Sequence, residues 1–379
     1  MSLLIKYGIL AQVAKITEIP EGNYVIFENE DGSTITVTPN WTQSDVEIQY
    51  SFNGSDWSSA TAETEIENTT GNQIAFRGKA PTDKTLYTAN LAANAWVCPN
   101  TTKITGNLNF LLCDDFGDET APTTLNNFAY AWMFGDCTSL TTAPELPATG
   151  LASQCYRDMF RGCASLETAP ELTATELAGN CYTRMFFGCT SLTTAPELPA
   201  ITLASFCYNS MFMGCTSLTT TPSLDATSLE SGCYQSMFQG CTSLTTALEL
   251  PATIVDGPCY ANMFRDCVSL TTPPSLPATT LGSQCYMSMF RSCTLLTTVP
   301  ELPAITLTNW CYREMFRDCS SLKVSETQEG DYIHAWRIPT EGEGTTVSNW
   351  NLNMLNNTTG TFTDDPEIDT TYYIKNEPV

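Results

Sequence analysis

From residue 129 onward the apolar positions recur every 26 residues. Tyr130 returns at Tyr156, Tyr182, Tyr208, Tyr234, Tyr260, Tyr286 and Tyr312. Met133-Phe134 returns through Met315-Phe316, and Leu140 through Leu322. Two cysteine series, Cys137 to Cys319 and Cys155 to Cys311, keep the same step. The unit reads CYxxMFxxCxSLTTAPELPATxLxxx; seven copies span 129–310 without insertion, and an eighth begins at Cys311 and fades after Lys323. A fixed period of roughly 20 to 50 residues marks a solenoid, propeller or array, because one unit cannot bury its apolar face alone.

Within the unit the pattern changes character. Leu151, Cys155, Met159, Phe160 and Cys163 are spaced as on one face of a helix. Gly162, Gly188, Gly214 and Gly240 stand where a helix would be capped. The following SLTTAPELPA holds prolines that forbid helix and threonines that favour an extended chain. One helix and one short strand per unit is the leucine-rich-repeat plan. Coils stacked at roughly 4.8 Å would give a slab about 40 Å long. Ahead of the array, Tyr24–Phe27, Thr34–Val37 and Val46–Tyr50 alternate like strands, with Asp31-Gly32 and Asn53-Gly54 as turns. The expected fold class is α/β: a leucine-rich-repeat solenoid carried on an immunoglobulin-like β-sandwich. The expected division is an arm over 1–20, the sandwich over 21–100, a cap over 101–128, the solenoid over 129–323, and a cap with acidic tail over 324–379.

The unit resembles the BspA-like (Treponema-type) leucine-rich repeat of bacterial surface proteins. Met133-Phe134, Cys137, Leu140 and Ala143-Pro144 carry the likeness, with Met in place of the family's Ala. The flanks Tyr50–Trp57, Phe76-Arg77-Gly78, Gly106-Asn107-Leu108, Val347–Trp350 and Gly360–Phe362 occur in an order similar to that of repeat proteins from gut anaerobes and their phages. The resemblance covers about residues 22–363 and implies surface display and binding.

Charge narrows the options. The chain has 16 Lys+Arg against 41 Asp+Glu, net −25, which disfavours nucleic acid and anionic membranes as partners. One histidine, His334, excludes zinc sites built on several histidines. No segment reaches the roughly 18 to 20 apolar residues of a membrane span. The opening MSLLIKYGILAQVAKITEIP is a poor export signal. Residues 126–323 hold 15 acids and 8 bases, whereas the remaining 181 hold 26 acids and 8 bases.

Fifteen of the 17 cysteines belong to the repeat, and no CxxC occurs. They are expected to be reduced and buried, packing coil on coil as small apolar residues. Glu145, Glu171, Glu197, Glu249 and Glu301 form a carboxylate stripe, interrupted by Ser223 and Ser275. Thr141-Thr142 begin a hydroxyl column that runs to Thr297-Thr298. Other positions vary between copies, which implies an exposed face: Arg157, Arg184, Arg161, Phe187, Met213, Gln239, Arg265, Arg291 and Arg317. Phe187 and Met213 on adjacent coils suggest a contact patch. These columns are the candidate binding surfaces; no catalytic, cofactor or metal residue is expected. His334 is read as structural.

The chain is expected to be non-enzymatic. Repetition supplies copies of one environment, whereas acid–base catalysis needs two unlike carboxylates. A phage fibre or decoration protein, released by lysis, needs no leader, so the virion surface is the expected location. The array would contact host glycan or protein, residues 1–20 and the β-domain would anchor to other virion proteins, and a homo-oligomer is compatible. A bacterial adhesin whose leader has been removed and a purely structural cement protein stay open as alternatives.

Overall fold

The computed structural model describes residues 18–41, 46–80, 96–116 and 118–375. Most of the arm expected over 1–20 lies outside them. Strands β1 (Val25–Glu28), β2 (Ile35–Pro39) and β3 (Glu47–Ser51) fall on the three alternating runs. With β4 (Ser58–Ser59), β5 (Ile66–Asn68), β6 (Gln73–Lys79), β7 (Trp96–Val97) and β8 (Lys103–Thr105) they make two sheets, ordered β4-β3-β6-β1-β8 and β5-β2-β7. Gly32 and Gly54 take left-handed φ of 78° and 76° in the turns, where only glycine enters at no steric cost. Trp96 of one sheet meets Phe27 and Phe76 of the other at ring separations of 5.0 and 4.7 Å.

The β-domain passes into the array without a break in its core. Phe27 also meets Phe134 of the first coil edge-on at 5.9 Å. β8 pairs in parallel with Thr142, whose carbonyl accepts from Ile104 N at 3.0 Å. One apolar cluster runs from Val25 through every coil to Ile374.

The helix expected in each coil does not form, and the α/β leucine-rich-repeat class is corrected accordingly. Among the described residues the helical content is one four-residue 3-10 turn, Leu108–Leu111. Residues 153–163 are instead a ribbon of successive turns. Gln154, Tyr156, Asp158 and Gly162 take left-handed φ of 66°, 59°, 54° and 72°. Amides of the intervening residues bond three residues back, as from Arg157 to Gln154 at 3.3 Å and from Cys163 to Phe160 at 3.1 Å. Amides of the even residues leave the coil: Asp158 N reaches Thr183 O at 2.9 Å, Phe160 N reaches Met185 O at 2.9 Å, and Gly162 N reaches Phe187 O at 2.7 Å. A helix would keep those donors to itself. A single helix of about ten residues is marginal in water, and stacking offers each ribbon a partner on either side. Apolar spacing reports which positions face the core, and a ribbon of turns buries the same ones.

The aromatic columns run the length of the stack. Tyr rings lie 5.6–6.0 Å apart and Phe rings 5.6–5.8 Å apart through the regular coils. Elsewhere on each coil the chain is extended. Thr142, Thr168, Thr194 and Thr220 form a row of parallel bridges. β9 (Thr124–Leu125) pairs with β10 (Gly150–Leu151), and β11 (Ser228–Leu229), β12 (Ile254–Val255) and β13 (Thr280–Leu281) pair in register.

The array does not fade at Lys323. A further ribbon lies 39 residues beyond Cys311, where Trp350 O accepts from Tyr312 N at 2.8 Å and Met354 O from Phe316 N at 3.0 Å. Asn349, Asn353 and Asn357 hold its left-handed positions, φ 57–62°. Thirteen residues in excess of the repeat step loop out before it. β14 (Lys323–Ser325) still stands at the repeat step after Thr297-Thr298, and the looped-out segment that follows carries β15 (Tyr332–Arg337); both join β16 (Thr359–Gly360) and β17 (Thr371–Lys375) in a sheet ordered β15-β17-β14-β16. Trp350 and Trp336 end the Tyr and Phe columns edge-on, at 6.1 and 6.2 Å.

Candidate functional site

Two surfaces collect the candidate residues. The first is the outer edge of the turn ribbons, which carries all seven arginines of 126–323. The coils stack in register, so neighbouring coils bring equivalent side chains together. Arg157 stacks 5.1 Å from the Trp132 ring and donates to Gln154 Oε1 at 2.8 Å. Its neighbour Asp158 has a fully buried side chain, reached by Arg184 Nη2 at 2.9 Å and Arg157 Nε at 3.4 Å. Burial pushes the Asp158 carboxyl upward, against the pull of Arg184 and then Arg157. In the next column Arg161 lies 5.4 Å over the Phe187 ring. Arg157, Arg161, Arg184 and Phe187 therefore make one patch. Met213 and Gln239 continue the Phe187 column, half-buried. A second patch gathers around Glu314: Arg291 Nη1 lies 2.7 Å away, Arg317 Nη1 3.3 Å and Arg313 Nη2 3.5 Å. Arg265 pairs with Asp266 at 3.3 Å.

These positions are less exposed than their variation implied. Arg161 is exposed, but the other eight variable candidates are half-buried, and Asp158, Thr183, Ser288 and Glu314 beside them are buried. Variation here reflects alternative pairings across coils as much as contact with solvent.

The second surface is a row of ledges made by the APELP stretches. Glu145, Glu171 and Glu197 are exposed on successive ledges. Between ledges lie furrows walled by proline rings. One of 420 Å³ is bounded by Pro144, Glu145, Pro147, Pro170 and Glu171, and one of 280 Å³ by Pro170, Glu171, Pro196 and Glu197. Thr141 and Thr142 are half-buried: Thr141 Oγ1 donates to Thr102 O at 2.8 Å, and Thr142 bridges to Lys103 and Thr168. At that end of the column the threonines hold the β-domain to the first coil.

All 17 cysteines are free and buried. Burial pushes Cys259 and Cys311 up to about 11 and Cys215 to about 12, so the reactive thiolate is disfavoured. Among the described residues no group of three or more His, Cys, Asp or Glu is placed to hold a metal ion, and no helix is long and apolar enough to cross a membrane.

His334 is not enclosed. It is exposed on β15, at a register irregularity between Tyr332 and His334. With Trp336 and Ile374 it faces the last regular ledge, Thr298–Glu301, across a 260 Å³ pocket. Sequence reading missed this pocket because the loop that builds it hides the final coil. The asparagines at 349, 353 and 357, with Met354, were the available signal. No protein-family model, curated protein or solved structure matches the chain.

Proposed function

We propose that the chain is a non-enzymatic, surface-displayed binding protein, a fibre or decoration protein of a phage virion whose coils contact host glycan or protein. The observation that carries this reading is the contrast between core and edge. The Tyr, Met and Phe columns and the Cys137–Cys319 column hold through all eight regular coils and are almost wholly buried, while the residues along the ribbon edge vary between copies. A constant frame with a varied, extended surface suits macromolecular contact. The likeness of the coil sequence to BspA-like surface proteins supports the same reading, as does the excess of acid in a chain that must stay dispersed.

The test is to fractionate the native source into filterable particles, cell envelope and soluble contents, and to detect the chain by mass spectrometry. Recovery with particles that adsorb to host cells supports the virion role. Recovery in the envelope replaces it with an adhesin, and recovery only in soluble contents overturns surface display.

A further inference from the structure

The arginine edge carries one local sequence at two places, with a telling difference. Residues 157–162 read Arg-Asp-Met-Phe-Arg-Gly, and residues 313–318, in the same register, read Arg-Glu-Met-Phe-Arg-Asp. Each stretch sits in a cluster of three guanidinium groups, from Arg157, Arg161 and Arg184 at the first and from Arg291, Arg313 and Arg317 at the second. The second cluster is balanced by two carboxylates. Besides Glu314, Asp318 lies 3.5 Å from Arg291 Nε and 3.6 Å from Arg317 Nε. At the first cluster Gly162 stands where Asp318 stands. Arg161 therefore lacks the partner that Arg317 has, and its head lies 5.4 Å over the Phe187 ring instead.

The one carboxylate inside the first cluster is already engaged. Asp158 is buried and met by Arg184 at 2.9 Å and Arg157 at 3.4 Å, with Arg161 adding to their pull from farther off. On the preceding coil Asp136 stands over Gly162, and it forms no ion pair among the described residues. The cationic heads are open to a ligand: Arg161 is exposed, and the Arg157 and Arg184 side chains are 27% and 34% exposed. Stacking holds Arg157 against Trp132 and Arg161 against Phe187, which reduces the freedom lost when a ligand fixes them. A planar guanidinium fork matches the paired oxygens of a carboxylate or phosphate. The acids elsewhere on the chain do not forbid this, because charges more than about 8 Å away are largely screened at physiological ionic strength. On the next coils the equivalent positions turn uncharged, with Asn209 and Ser210, then Gln235 and Gln239.

Resting on the surface-binding reading above, we propose that the Arg157–Arg161–Arg184 cluster binds the oxyanion of an acidic glycan, a sugar carboxylate or a phosphate. Arg161 supplies the free fork, with Arg184 and Arg157 beside it. Neutral units of the same glycan lie along Asn209, Gln235 and Gln239. The Glu314 cluster has the same cations already neutralised, and takes no such group.

The test is calorimetric titration of the whole chain at low salt with a uronic-acid disaccharide, with inorganic phosphate and with a neutral disaccharide. The expected result is saturable binding of an anion, weaker as salt is raised, and none of the neutral sugar. Arg161→Gln alters an exposed side chain with no ion pair to lose. It should bind at least tenfold more weakly with an unchanged unfolding midpoint, while Arg317→Gln and Arg265→Gln bind as the parent does. Tighter binding of the disaccharide assigns the oxyanion to a sugar carboxylate, and tighter binding of phosphate assigns it to a phosphate. Equal weakening in all three variants, equal binding of the neutral sugar, or no saturable anion binding overturns the proposal. Adsorption to host cells keeps the two readings apart. If Arg161→Gln adsorbs as well as the parent, the cluster is wrong and surface binding stands. If the parent adsorbs to no host cell or host polysaccharide, both readings fall.

Discussion

Cys215 is fully buried, and its Sγ lies 3.1 Å from the Phe186 carbonyl of the preceding coil. The same contact recurs from Cys163 to Phe134, Cys241 to Phe212 and Cys319 to Phe290, at 3.0–3.2 Å. A thiol is small, cheap to bury and still a weak donor, which suits a position that must pack and also meet a carbonyl. Burial raises these thiols, and the Tyr phenols beside them, above their unfolded values. Above about pH 8.5 the unfolded chain therefore holds fewer protons than the folded one, and stability falls as pH rises. Each thiol ionised only in the unfolded chain contributes about 1.4 kcal/mol per pH unit. Urea midpoints should be level from pH 6 to 8 and fall steeply from 9 to 10.5; a level profile throughout would contradict the buried, protonated columns. A disulfide-exchange reagent at pH 8 should leave the native thiols unmodified and titrate all 17 after denaturation.

The turn ribbon is the element that departs from expectation, and its left-handed positions can be tested singly. Gly162, Gly188, Gly214 and Gly240 occupy one of them, and Asp136, Asp266, Ser292 and Asp318 occupy the same position in the other coils, φ 56–64°. At Gly188 an added Cβ would meet only Gly162 Cα at 4.0 Å, so Gly188→Ala should cost about 1 kcal/mol through backbone strain alone. Ser292→Gly should gain about 0.5 kcal/mol, strain relief less the entropy of glycine. If this stretch were a helix interior, the signs would be reversed. Phe212 stacks on Phe186 and Phe238 at 5.6 and 5.7 Å. Phe212→Ala should cost about 3–5 kcal/mol in denaturant unfolding.

Across the whole molecule, one core joins the β-domain, the coils and the terminal sheet. Deleting residues 207–232 removes one step and brings Phe186 against Phe238 in register. That variant should fold, and circular dichroism of both proteins should lack the double minimum of an α-helix. A helical spectrum in the parent would restore the leucine-rich-repeat plan.

The amino-acid order alone determined the period, the columns of Tyr, Met, Phe, Cys and Leu that face inward, and the alternating runs that became β1–β3. Burial follows from side-chain chemistry and spacing, and both are visible along the chain. The backbone path between buried positions was decided only in three dimensions. Whether an amide bonds within its own coil or to the next depends on the neighbouring coil being there, and a 3.6-residue spacing is compatible with either. The ninth ribbon and the His334–Trp336–Glu301 pocket were hidden for the same reason. The looped-out segment breaks the 26-residue step ahead of the ribbon, and it makes the pocket by folding back against a ledge more than thirty residues away, a return that no local pattern records.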